Sequence, residues 1–189
     1  MTNQMKDIIL KGFLKKIEEI SINDLNLSPE EGQFISSILN DQTWPKKMAM
    51  IENFPSLITM MDLSPRQEMS LIKSAPYLIS LVKNQNSAMA LIAFNKNPYS
   101  YERLNFLPTH MKKEDNPNVY KKNLVELFNQ ESEEVQLLGI EFSPFLIQYV
   151  KNPTQDFLAK VSKTNKAALD YLDKEYMEYN GVKTYQHTA

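Results

Sequence analysis

Apolar residues return along this chain with helical spacing, in a frame that repeats. Counting on from Thr43, Ser64, Asn86, Ser132 and Pro153, the fifth position is Met48, Met69, Leu91, Leu137 and Leu158. The eighth is Ile51, Ile72, Phe94, Ile140 and Val161. A spacing of three puts both columns on one helical face. The twelfth is Pro55, Pro76, Pro98 and Pro144, with Asn165 as the one departure. Two further apolar columns follow, Ile58, Ile79, Tyr101, Ile147 and Ala168, then Met61, Val82, Leu104, Val150 and Tyr171. Proline suits the first turn of a helix and biases its predecessor away from helical backbone. Each unit therefore reads helix, tight turn, helix. Leu91, Leu137, Leu158, Ile72, Ile140 and Phe94 are expected in the core.

Two stretches state the period almost verbatim. Residues 76–84 read PYLISLVKN and residues 144–152 read PFLIQYVKN, each beginning 12 residues after a serine, Ser64 or Ser132. Self-similarity of this kind marks helical repeat arrays, and the units here are about 21–23 residues long. The predicted fold is all-α, a compact α-solenoid of helical hairpins in one continuous domain. Residues 1–42 form an N-terminal capping pair, 43–107 repeats, 108–131 a degenerate repeat, 132–174 repeats, and 175–189 a tail.

The ends depart from the consensus as terminal units of an array do when they shield its core from water. The first 20 residues predict an amphipathic helix with Ile9, Phe13, Ile17 and Ile20 on one side. Its apolar run is broken by Lys11, too short for a signal peptide, and Glu18 and Glu19 would oppose anionic lipid. Ser28-Pro29-Glu30-Glu31 is a capping-box sequence that opens a second helix, whose apolar face is Phe34, Ile35, Ile38 and Leu39. In the degenerate unit, Leu124, Val125, Leu127 and Phe128 predict a helix ending near Asn129, while the polar stretch His110 to Asn118 reads as a loop or a short, irregular helix.

Composition narrows the chemistry. Four glycines are few for strands joined by tight hairpins. With no cysteine, disulfides, thiolate catalysis and sulfur-ligated zinc are excluded, as suits a cytoplasmic protein. The two histidines, His110 and His187, belong to no metal-binding motif, and no glycine-rich phosphate loop occurs. The acid pairs Glu18–Glu19, Glu30–Glu31 and Glu133–Glu134 are sequence neighbours, about 100° apart around a helix, and do not face each other as a catalytic pair. The expectation is a protein that is not an enzyme and takes no cofactor. A net charge of −2 does not suit the chain as a whole to phosphate backbones. The local exception is Lys112, Lys113, Tyr120, Lys121 and Lys122, a basic patch with an interposed tyrosine, suited to an acidic protein face or a phosphate backbone. Tyr149 joins it as a sixth candidate binding residue. It stands in a column with Met60, Leu81 and Arg103, where apolar and charged residues alternate as they do at a solvent border.

Residues 132–157, SEEVQLLGIEFSPFLIQYVKNPTQDF, resemble a short repeat found in tandem in phage, giant-virus and some bacterial proteins. The matching residues are Glu133, Glu134, Val135, Gln136, Leu137, Ile147, Gln148, Tyr149, Lys151, Asn152 and Pro153. The resemblance is looser over residues 43–107 and 153–174 and covers neither terminus. It implies a helical-hairpin array and a viral origin, and it brings no catalytic residue. The expected function is a non-enzymatic module that binds another protein, a phage-encoded inhibitor of a host defence or transcription factor acting in the host cytoplasm. Nucleic-acid binding through the lysine patch and a structural role in the virion are the alternatives, and no membrane partner is expected.

Overall fold

The computed structural model describes residues 2–98, 100, 104 and 117–172, all in helices, turns or connections, with no strand among them. Lys112, Lys113, Tyr101, the part of the polar stretch from His110 to Asn116 and the tail after Leu172 lie outside the described residues. The α-helices are α1 (Asn3–Glu19), α2 (Pro29–Asn40), α3 (Trp44–Asn53), α4 (Pro65–Ser74), α5 (Ser87–Lys96), α6 (Pro117–Phe128), α7 (Glu133–Phe142) and α8 (Gln155–Thr164). The chain forms two compact units. One holds Met1–Glu68 with Leu81–Lys83, the other Met69–Ser80 with the chain from Asn84 onward.

The described helices fall where the sequence frame expects them, and the second half of four units differs from an α-helix. Helices α3, α4, α5, α7 and α8 are each ten residues long. Six-residue 3-10 helices follow four of them, Pro55–Met60, Pro76–Leu81, Pro144–Tyr149 and Lys166–Tyr171. The cause is local. The residues ahead of Pro55 and Pro144 leave helical backbone, Phe54 at ψ 76° and Ser143 at ψ 88°, so the chain re-enters it abruptly. Bonds from i+3 to i then open and close the segment, Leu57 N to Phe54 O at 3.0 Å and Met61 N to Ile58 O at 3.2 Å. The same two bonds recur at Leu146 and Val150, and at Ala168 and Leu172. Adjacent apolar pairs fill the core beneath: Leu57 and Ile58, Leu78 and Ile79, Leu146 and Ile147 are all buried.

The last unit corrects the frame by one residue. Its cap is Thr154, whose hydroxyl accepts from Phe157 N at 3.1 Å, while Pro153 is buried ahead of it. Tyr171 then falls in the column of Met60 and Tyr149 and is 53% exposed, although the frame from Pro153 had placed it with Met61 and Val82. Lys166 takes the proline's place, and Asn165 supplies what proline does elsewhere. Its backbone leaves the helical region in the same way (φ −153°, ψ 88°), and its amide donates to Glu141 O at 3.0 Å at the end of α7.

Side-chain caps start α2, α4, α5 and α7 at the residues the sequence points to, whereas Thr43 makes no such bond on α3. Ser28 Oγ accepts from Glu31 N and the Glu31 carboxylate accepts from Ser28 N, a complete capping box. Bonds from the helix-end N–H of Glu30 and from the Ser28 hydroxyl hold the Glu30 carboxyl below its ordinary range. Ser64 and Gln67 repeat the box on α4, and Asn86 and Ser132 cap α5 and α7.

Burial confirms Leu91, Leu158, Ile72, Ile140 and Phe94, but Leu137 is half-buried. Gln136 and Gly139 point inward in its place. Gln136 donates its amide to Phe128 O at 2.9 Å, which satisfies a carbonyl at the end of α6. Gly139 lets α7 approach α5 so closely that a Cβ there would meet Ala88 Cβ at 2.8 Å. On α1 the buried residues are Leu10 and Phe13, with Ile20 exposed; on α2, Ile35, Ile38 and Leu39 are buried and Phe34 is exposed.

Candidate functional site

The six candidate residues separate by burial. Tyr120 corrects the sequence reading: it is fully buried and stacks on Phe94, ring centroids 5.8 Å apart, so it is core between α6 and α5 and not part of a surface patch. Its neighbours on α6 point outward. Lys122 is exposed, and Lys121 places its ammonium 5.2 Å from the centroid of the Tyr149 ring. That distance is within range of a cation–π attraction. Tyr149 also meets Phe145 edge-on at 6.1 Å and is half-buried. Lys112 and Lys113 lie outside the described residues.

The backbone beneath this surface is fixed by one side chain. Asn129, just past the end of α6, donates to Tyr149 O at 2.8 Å and accepts from Lys151 N at 2.7 Å. It therefore ties the end of α6 to the end of the next 3-10 helix and pins the segment that carries Tyr149. Tyr149 is thus a half-exposed aromatic ring on a fixed backbone, beside the Lys121 ammonium and two residues before Lys151.

Sequence reasoning missed that this arrangement occurs twice. In the other unit Asn40, at the end of α2, accepts from Asp62 N at 2.8 Å, again 22 residues onward. Ser36 Oγ supplies the bond to Met60 O, at 2.7 Å, that Asn129 makes to Tyr149 O. Met60 thus corresponds to Tyr149, Asp62 to Lys151 and Gly32 to Lys121. Both asparagines stand three residues before a helix cap, Thr43 or Ser132, which was the legible signal. The outcome differs because the side chains differ. At Gly32 a Cβ would find no atom within 4 Å, and a cleft of about 510 Å³ opens between α2 and the Pro55–Met60 helix. Asp62 stands at its edge, one carboxylate oxygen 2.9 Å from the Asn40 amide nitrogen and the other 3.5 Å from the Lys83 ammonium.

A second, apolar pocket of about 330 Å³ lies between α1 and α2, lined by Ile9, Phe13, Leu27, Phe34 and Ile35. Lys160 pairs with Asp156 and Glu133, and hydrogen bonds to those carboxylates raise its ammonium above the ordinary lysine value. Among the described residues no group of three or more His, Asp or Glu side chains is placed to hold a metal ion, and no helix is long and apolar enough to cross a membrane. No protein-family model, curated protein or solved structure matches the chain.

Proposed function

We propose that this protein is a non-enzymatic binding module, an α-solenoid of helix–3-10 units capped by α1 and α2, that presents the α6 surface to another protein. The recurrence of ten-residue α-helices followed by six-residue 3-10 helices supports the solenoid reading. The observation that carries the binding reading is the Lys121–Tyr149 pair, held over a backbone pinned by Asn129. It joins an aromatic anchor to exposed positive charge, the chemistry that meets an acidic face on a partner protein. Together with the viral repeat that residues 132–157 resemble, this points to a host protein as the partner, met in the host cytoplasm.

Affinity capture of the full chain from its native cell, with and without nuclease, tests the reading by mass spectrometry. A protein recovered in stoichiometric amount and unaffected by nuclease supports it. Recovery of nucleic acid that nuclease removes, together with the protein bound through it, assigns the Lys121–Lys122 surface to phosphate backbones instead.

A further inference from the structure

We propose that the cleft between α2 and the Pro55–Met60 helix receives a lysine side chain of the bound partner protein, in the way the corresponding site on α6 receives Lys121 of this chain. The inference rests on the protein-binding reading and adds to it the chemistry of one contact.

Both sites are built on the same frame, an asparagine that closes a 22-residue loop onto the backbone after a 3-10 helix. On α6 a lysine stem leaves the helix and lays its ammonium against the residue ending the 3-10 helix, 5.2 Å from the ring centre of Tyr149. On α2 the residue in that helical position is Gly32, which contributes no stem, and Met60 replaces the ring. The cleft of about 510 Å³ is the space so left open. Its charge is reversed to match. Where the α6 site carries Lys151, the α2 site carries Asp62, its side chain 81% exposed and anchored by Asn40.

A lysine satisfies each feature of this cleft. Its alkyl stem packs along the Met60 side chain and its charged head reaches the rim. The ammonium meets the Asp62 carboxylate as a point charge. An arginine fork would have to share one of those oxygens with Asn40, which already donates to it, so a point charge is the better match. Lys83, 3.5 Å from the other oxygen and 51% exposed, is the internal competitor that an incoming ammonium displaces.

The test is an amide NMR titration of the full ¹⁵N-labelled chain with Nα-acetyl-lysine methylamide, with the norleucine and arginine analogues as controls. The lysine compound is expected to saturate with Kd of about 1–10 mM, as suits a single side chain, and to shift the amides of Gly32, Asn40 and Asp62. Asp62→Asn should weaken it about tenfold. Lys83→Met should tighten it by removing the competitor. Gly32→Lys with Met60→Tyr, which installs the occupant of the α6 site, should abolish it. Circular dichroism identifies any variant that fails to fold, and Asp62→Asn and Lys83→Met, both at exposed side chains, keep the test open if the double variant does. Equal shifts from norleucine or arginine, no local shifts with lysine, or an Asp62→Asn chain that binds lysine at full strength would overturn the proposal. Because the probe is a small molecule, a failed affinity capture leaves a positive titration standing, and a failed titration leaves the α6 surface untouched.

Discussion

Gly139 on α7 and Ala88 on α5 touch backbone to side chain, and a Cβ at Gly139 would stand 2.8 Å from Ala88 Cβ and 3.1 Å from Leu146 Cδ1. Neither helix can yield cheaply, since both are buried there and Ala88 Cβ is fixed to its backbone. Gly139→Ala gains about 1 kcal/mol of helix propensity but pushes two helices apart, so it should lower stability by about 1–3 kcal/mol net. Gly12→Ala is the control, because nothing lies within 4 Å of that position on α1. It should raise stability by about 0.5–1 kcal/mol. Urea denaturation of both variants reads the contrast, and equal effects would mean that α5 and α7 are not in close contact.

Truncation should distinguish the core columns by their true burial. Ile140→Ala removes a fully buried side chain and is expected to cost about 2–5 kcal/mol. Leu137→Ala, at a half-buried position, should cost clearly less. If thermal melts rank the two in the opposite order, the inward face of α7 has been assigned wrongly.

How far the sequence could be read follows from these same residues. Apolar periodicity locates the helices and the proline column locates their breaks, because both act through local backbone sterics. It does not separate an α-helix from a 3-10 helix over six residues, where a proline start and two i+3 bonds decide the geometry. Nor does it reveal Gln136, since the column it shares with Lys47 and Glu68 looks like solvent until its burial and its bond to Phe128 O are known. Tyr120 was misread for the complementary reason: a tyrosine among lysines looks like surface, yet α6 turns it onto Phe94. The α2 cleft depends on a glycine and on a contact 22 residues away, and no local pattern encodes either.

The duplicated asparagine clamp should be worth a similar amount in each unit. Asn129→Ala leaves Tyr149 O and Lys151 N without that partner, and Asn40→Ala does the same to Asp62 N. Each should cost about 1–3 kcal/mol. Hydrogen exchange should quicken at Lys151 in the first variant and at Asp62 in the second; unchanged protection at either amide would contradict the clamp.

Asn152 has φ 49°, the one non-glycine residue with positive φ among those described. Asparagine tolerates this backbone and glycine adopts it freely, whereas alanine pays about 1–2 kcal/mol. Asn152→Gly should therefore be close to neutral and Asn152→Ala destabilising, as differential scanning calorimetry would show. Equal melting temperatures for the two would contradict the left-handed junction.

The most direct test of the binding surface is quantitative affinity capture with wild type, Lys121→Ser/Lys122→Ser and Tyr149→Ala side by side. Substitution of the exposed Lys122 should shift stability by less than about 0.5 kcal/mol, and thermal melts of each variant separate loss of the interface from loss of the fold at Lys121 and Tyr149. Binding through the α6 surface predicts about a tenfold or greater loss of captured protein for Tyr149→Ala and a smaller but clear loss for the double lysine variant. Capture of the same protein at wild-type level by both variants would contradict it.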